Sequence, residues 1–367
     1  MREKILAIIG AGEAAVPIIE KAHELNVKVL AFARQQSFAQ DLVDIFVEEN
    51  NFDVDFMANK CRAYNVDGVM ATSELTTEVA ARLAASLGLA GNSVKGGFAG
   101  KNKYEMRKRV SLVNSIKQPH FELYQEGKDY SFPLIVKSVD SCGKRGVVLV
   151  KQKEDFDKAI ATAKENSSDG TALVEEYLKG GKEYSIECLS VGSLHQIIQY
   201  TQKDTSGPPH FVELGHHQPA NLDEETKKRI QIAVSDVLDV LGLNSGMAHF
   251  EMKIINGELY FIEVGARGGG DHISDILTPL STGFDYIKAA VQCALGEYQP
   301  QPVGSKAYSG IYFHCKQNEE LKSLFEAAKT AEWTVKNTVS SDDFSEASGN
   351  VEASNSGYII YCANHKI

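Results

Sequence analysis

Two glutamates, Glu251 and Glu263, are the residues of this chain best placed to do chemistry. They lie in Gly246-Met-Ala-His-Phe-Glu251-Met-Lys-Ile-Ile-Asn-Gly-Glu-Leu-Tyr-Phe-Ile-Glu263-Val-Gly-Ala-Arg267-Gly-Gly-Gly270. Two runs rich in β-branched and aromatic residues flank Asn256-Gly257 there, which predicts a β-hairpin. Strand alternation puts Glu263 on the face of Leu259 and Phe261, a half-apolar setting where a bare carboxylate is costly. Two carboxylates meeting at one point suit a hard cation, Mg²⁺ or Mn²⁺. A strict two-residue Asn-Gly turn would pair Glu251 with Ile262. A three-residue connection over Asn256–Glu258 would set Glu251 opposite Glu263, and that is the register expected here. The competing reading is a surface hairpin with solvated glutamates.

Three more groups of residues could act with that pair. Phe132-Pro-Leu-Ile-Val-Lys137 is a short buried strand ending in a lysine, followed by a glycine loop with Ser141, Gly143, Lys144, Arg145 and Gly146. Backbone N–H groups in such a loop can wrap phosphate oxygens while a lysine supplies a point charge. In Leu173-Val-Glu175-Glu176-Tyr-Leu178-Lys-Gly-Gly-Lys-Glu183, an apolar strand ends in acids and another carboxylate opens the next strand. Backbone groups at Glu176–Leu178 could pair an adenine edge, with Glu183 accepting from ribose hydroxyls. Lys103 opens a basic helix, Lys103-Tyr-Glu-Met-Arg-Lys-Arg109, which alone reads as a solvated face.

The elements that must carry these groups follow from periodicity. Lys4–Ile9, a Gly10-Ala-Gly12 turn, a helix over 14–25 and the strand Val27–Ala33 form a βαβ unit, hence a parallel sheet. A strand at Gly68–Ala71 ends at Thr72-Ser73-Glu74, and a helix over 77–87 stops at Gly88. Gly10-x-Gly12-x-x-Ala15 resembles a dinucleotide turn, but Arg34 stands where an acidic ribose contact is expected. An NADP site there stays open beside a plain packing turn. Glycines around 91–100 mark a junction. Strands are expected at 147–150, 172–176, 183–189 and 195–201, with helices at 154–164, 223–241 and 286–295. The stretch 203–221 reads as a polar loop in which His210, His216 and His217 cluster near Glu213. One of these histidines could contact substrate or take a proton, and metal binding or plain surface histidines fit the pattern as well.

Bulk properties narrow the class. A chain of 367 residues with 43% hydrophobic and 24% charged residues is ordinary for a globular protein of two or three domains. Its formal net charge of -11 argues against a nucleic-acid or anionic-membrane surface. Six scattered cysteines form no Cys-x-x-Cys pair, so neither zinc nor a disulfide framework is indicated. No signal peptide or membrane span is legible, and the cytoplasm is the expected location.

In this order and spacing the motifs resemble the ATP-grasp superfamily over residues 1 to about 300. The likeness is nearest to ATP-dependent carboxylate–amine ligases of the L-amino-acid and dipeptide type. It implies an α/β fold: an N-terminal parallel-sheet domain over 1–100, a two-subdomain ATP-grasp unit over 101–300 with 130–180 as a mobile lid, and a small C-terminal extension over 301–367. It implies that ATP is bound by Lys103, Lys137, Ser141, Gly143, Lys144, Gly146, Glu175, Glu176, Leu178 and Glu183. Glu251 and Glu263 fall where the family bridges Mg²⁺ to the phosphates. Arg267 matches an arginine that holds a substrate carboxylate or acyl-phosphate oxygens, a role suited to a bidentate fork. The family often has Asn two residues after the second metal carboxylate, where this chain has Gly265.

The activity so implied begins with attack of a carboxylate on the γ-phosphorus of ATP, with Lys137 and Arg267 assisting. An amine then captures the acyl phosphate, releasing phosphate beside the ADP. Small-molecule carboxylate and amine substrates are the expected partners, and a homodimer the expected assembly. Three rivals are weighed: a purine-biosynthesis type carboxylase that phosphorylates bicarbonate, an NADP-dependent oxidoreductase resting on Gly10–Ala15, and a nucleotide-binding module without turnover.

Overall fold

The first apolar run becomes β1 (Lys4–Ile9) of a computed structural model that describes residues 2–143, 145–208, 211–345 and 356–367. β2 (Val27–Ala33), β3 (Ile45–Glu48) and β4 (Gly68–Ala71) join it in a fully parallel sheet of order β3-β2-β1-β4. The near-continuous apolar character of β1 and β2 is what burial on both faces demands. One face packs on helix Val16–Glu24 and on a distant helix, Tyr286–Ala294. Gly68 permits that second approach, because a Cβ there would lie 2.6 Å from the Ala294 carbonyl oxygen. The other face packs on helices Val54–Tyr64 and Thr77–Leu87, the latter ending in left-handed Gly88.

A second sheet is small and antiparallel: β5 (Phe121–Leu123), β6 (Leu134–Ser138), β7 (Val148–Val150) and β8 (Ala172–Glu176), in the order β5-β8-β6-β7. Helix Phe156–Glu165 covers one face through Phe156, Ala159, Ile160 and Ala163.

The third sheet is large and antiparallel. Its strands are β9 (Lys182–Val191), β10 (Leu194–Thr205), β11 (Glu213–Gln218), β12 (Ser245–Ile255), β13 (Glu258–Gly265), β14 (Tyr308–Phe313), β15 (Thr334–Asn337) and β16 (Tyr358–Ala363). They lie in the order β13-β12-β9-β10-β11-β14-β16-β15, so the C-terminal strands continue the sheet. Helix Glu224–Leu241 covers one face. Asp223 caps it by accepting from the Thr226 amide at 2.7 Å, and Gly242 at φ 78° ends it. Its Ile230, Ala233, Val234, Val237, Leu238 and Leu241 recur at helical spacing and meet Tyr184, Ile186, Cys188, Ala248, Phe250 and Met252 of β9 and β12.

That packing decides which residues occupy the opposite face. Strand alternation turns Glu183, Ser185 and Glu187 of β9, and His249, Glu251 and Lys253 of β12, away from the helix.

The expected loop is partly overturned. Residues 213–218 are not loop but strand β11, paired with β10 on one side and β14 on the other. The segment looked polar because its buried positions hold His216, His217 and Gln218. Each finds a partner: His216 Nε2 lies 3.1 Å from Asp271, His217 Nδ1 lies 3.1 Å from the Tyr361 hydroxyl, and the Gln218 amide donates to Thr201. His210 lies outside the described residues.

Candidate active site

The hairpin reaches the expected opposition by an unexpected route. Asn256 (φ 52°) and Gly257 (φ 79°) are both left-handed, so the connection is a two-residue turn with Ile255 opposite Glu258. The three-residue connection expected from the sequence is therefore wrong. Glu251 still faces Glu263, because the register slips by one between Glu251 and Met252 and leaves Ile262 as a β-bulge. The slip also corrects the expected face. Leu259 and Phe261 go to the core, while Glu263 turns to the side occupied by Glu251.

On that side the charges alternate in sign across neighbouring strands. Lys253 of β12, Glu183 of β9 and Lys203 of β10 are cross-strand partners in one row. Lys253 Nζ lies 3.3 Å from Glu183. Lys203 Nζ lies 2.6 Å from Glu251 and 3.4 Å from Glu213. His249 Nε2 lies 3.1 Å from the same Glu251 oxygen, and its Nδ1 lies 2.5 Å from Glu187. Burial disfavours each charge, but close opposite charges win. Lys203 is held above the ordinary lysine range by Glu213 and Glu251, and His249 is raised to about 9 by Glu187 and Glu251. Glu251 sits well below the usual carboxylate range, held there by Lys203 and His249.

Lys103 is buried and organises the other half of the site. Its Nζ lies 3.0 Å from Glu263 and donates to the Ser141 carbonyl at 2.6 Å, and its amide donates to Val139. The Asn102 side chain caps its helix by accepting from Glu105. Lys103 thus ties the glycine loop to the hairpin. Burial presses it toward neutrality, and Glu263 and Glu74 keep it charged, with its pKa above the ordinary value. Within the loop Gly143 and Gly146 are left-handed, and Ser141 Oγ contacts Ser138 and donates to the Arg145 carbonyl. Lys144 lies outside the described residues.

Arg267 Nη2 lies 3.0 Å from Glu74, a residue to which the sequence reading gave no role. Glu74 follows β4 from another sheet, and only the tertiary fold brings it here. The available signal was an acid just past the carboxyl end of a parallel strand, where α/β sheets place ligand contacts. Burial and the nearby Glu263 raise its pKa, against Arg267 and Lys103.

The nucleoside candidates divide. The Glu175 carboxylate is fully engaged, with Arg107 Nε at 2.7 Å and Lys137 Nζ at 2.7 Å. Despite burial these two cations hold it at about 2. Its side chain therefore anchors Lys137 and the basic helix. Glu176 is exposed, with one oxygen accepting from the His120 amide, and the Leu178 carbonyl accepts from Lys253 at 3.4 Å. Beside them opens a cavity of about 360 Å³ lined by Tyr177, Glu183, Lys203, Gly207, Phe211 and Lys253. That volume falls in the range of about 300–1,000 Å³ common to small-molecule sites.

Among the described residues no three His, Cys, Asp or Glu side chains converge as a ready-made metal cage. The protein offers two facing carboxylates with a cation seated on each, a donor set that fits a divalent ion completed by phosphate and water oxygens. The Gly10 turn is built differently. Its amide donates to Phe32, and a Cβ at Gly10 would lie 2.5 Å from Thr72 Oγ1, so the turn is filled by neighbouring strand ends. Among the described residues no helix is long and apolar enough to cross a membrane.

Comparison with known proteins finds a domain family over the middle of the chain and a shared overall fold. Residues 130–275 match the ATP-grasp domain family. The alanine–anticapsin ligase of Bacillus subtilis is 27% identical over 236 residues, 56% of this chain and 49% of the ligase. The pyruvate carboxylase of Schizosaccharomyces pombe is 28% identical over 190 residues, 49% of this chain but only 16% of that longer protein. The crystal structure of an L-amino acid ligase from Bacillus licheniformis superposes with a TM-score of 0.80 at 25% identity, covering 100% of this chain and 94% of that one. Residues 130–275 therefore carry an ATP-grasp domain, and the chain as a whole shares the fold of the L-amino acid ligase.

Proposed function

We propose that the protein is an ADP-forming carboxylate–amine ligase acting on amino-acid or peptide-like substrates. The observation that carries this reading is the facing pair Glu251 and Glu263 on a sheet surface shared with Lys203, Glu183 and Lys253. Support comes also from the likeness to an alanine–anticapsin ligase and an L-amino acid ligase.

In this reading ATP lies between the small and large sheets. Its base meets backbone groups at Glu176–Leu178, and its ribose meets Glu183. Lys103, Lys137 and the loop from Ser141 to Gly146 take the phosphates, and closure of residues 130–180 excludes water from the acyl phosphate. Glu251 and Glu263 would hold Mg²⁺, which neutralises developing phosphate charge when bound. With Mg²⁺ so held, Lys103 and Lys203, which sit on those carboxylates here, would be available to phosphate oxygens. Arg267 orients the carboxylate for attack, and Glu74 fixes the guanidinium that does so. No protein nucleophile is required.

The test is a screen of carboxylates for ADP release in the presence of hydroxylamine. Hydroxamate formed in step with ADP supports an acyl-phosphate intermediate. ADP release that requires bicarbonate and yields no hydroxamate from any amino acid would contradict it.

A further inference from the structure

Glu187 is given no part in the proposed nucleotide and substrate contacts, yet it is completely buried. A carboxylate in that position is costly unless every lone pair is used. Here both oxygens are used, and by two different parts of the site. Oε1 lies 2.5 Å from His249 Nδ1, a cross-strand neighbour, and the other nitrogen of that ring lies 3.1 Å from Glu251. Oε2 accepts from the Gly269 amide at 3.0 Å and from Ser274 Oγ at 3.4 Å. Gly269 is two residues beyond Arg267, in the glycine run that follows it, and Arg267 Nη1 donates to the Gly268 carbonyl at 2.8 Å.

The fit around this hub is close. A Cβ on Gly269 would lie 2.7 Å from His249 Nδ1 and 3.0 Å from Glu187 Oε1. A glycine is needed there so that the backbone can press an N–H against the carboxylate without moving the imidazole.

We infer that Glu187 is a positioning residue that sets the Glu251 carboxylate, through His249, and the Arg267 loop, through the Gly269 amide, in one fixed relation. The inference rests on the proposed role of Glu251 as a metal carboxylate. A ligand-bearing side chain is oriented by the group behind it, and loss of such a group typically weakens metal binding by about 10–100-fold. Substitution at Gly269 should reach the same imidazole from the opposite side.

The test is Mn²⁺ titration of the full chain by electron paramagnetic resonance in the presence of ADP, with ADP affinity measured separately in chelator. The unaltered protein should take up Mn²⁺ with ADP. Glu187→Gln and Gly269→Ala should each bind Mn²⁺ about 10–100-fold more weakly with metal-free ADP affinity unchanged. Gly269→Ala keeps the test decisive if Glu187→Gln fails to fold. Unchanged Mn²⁺ affinity in the folded variants, or equal losses of Mn²⁺ and metal-free ADP binding, would overturn the positioning role. Absence of Mn²⁺ uptake by the unaltered protein would overturn the metal reading beneath it.

Discussion

Two glycine turns follow strand ends in this protein, and they are built on opposite principles. The turn at Gly10 is neutral and closed: its amide is bound by Phe32, Thr72 occupies the space of a side chain, and Ala11 and Ala15 are buried beside it. The run Gly268–Gly270 lies among charges, with Arg267 on Glu74 and the Gly269 amide on Glu187. Glycine content is the same signal in both cases. What separates them is the company each keeps, and buried charges of alternating sign are costly enough to point to a purpose beyond folding.

The contrast can be broken most severely at the hairpin. Glu263→Gln should leave the fold intact while lowering metal-dependent ADP formation by roughly 10²–10³-fold. A variant turning over at the unaltered rate, measured by coupled ADP release, would remove the metal assignment.

Next comes the Glu175 anchor, which is charged but structural. Its pKa of about 2 lies below the unfolded value, so its stabilisation is present above about pH 4.5 and is lost as pH falls toward 2. The loss is on the order of 3 kcal/mol. Chemical denaturation across that window should show it, and Arg107→Met, which removes one of its two cations, should narrow the difference. A pH-independent midpoint between 4.5 and 2 would show that the ion cluster does not hold the small sheet.

Gly10→Ala sharpens the comparison from the neutral side. A side chain at φ 98° against Thr72 should cost about 1–3 kcal/mol and lower the melting temperature, with the stabilisation gained from Mg-ADP unchanged. Loss of that ligand response would place nucleotide chemistry at Gly10 after all. The smallest effect is expected at Lys137. Replacement by alanine should weaken ADP by about tenfold, or about 1.4 kcal/mol by calorimetry. Unchanged affinity would limit Lys137 to its pairing with Glu175.

Local pattern made much of the fold legible. The parallel sheet came from apolar runs such as Lys4–Ile9, and the long helix from its Asp223 cap and apolar spacing. The opposition of Glu251 and Glu263 was also expected, but the bulge at Ile262 was not, since one residue out of register leaves no mark in an alternating pattern. β11 was missed because its histidines are satisfied by Asp271 and Tyr361, residues far away in sequence. Glu74 and Glu187 were missed for the same reason. Each looks like an ordinary strand-associated acid until Arg267, His249 and Gly269 are brought to it.

The most direct test of the account is thermal stabilisation of the full chain by ADP, with Mg²⁺ and with chelator, against NADPH. Binding to the native state alone raises the melting temperature, whatever the substrates are. The account predicts a shift with ADP that grows when Mg²⁺ is added, and none with NADPH. A shift with NADPH alone would move the site to the Gly10 turn and contradict it.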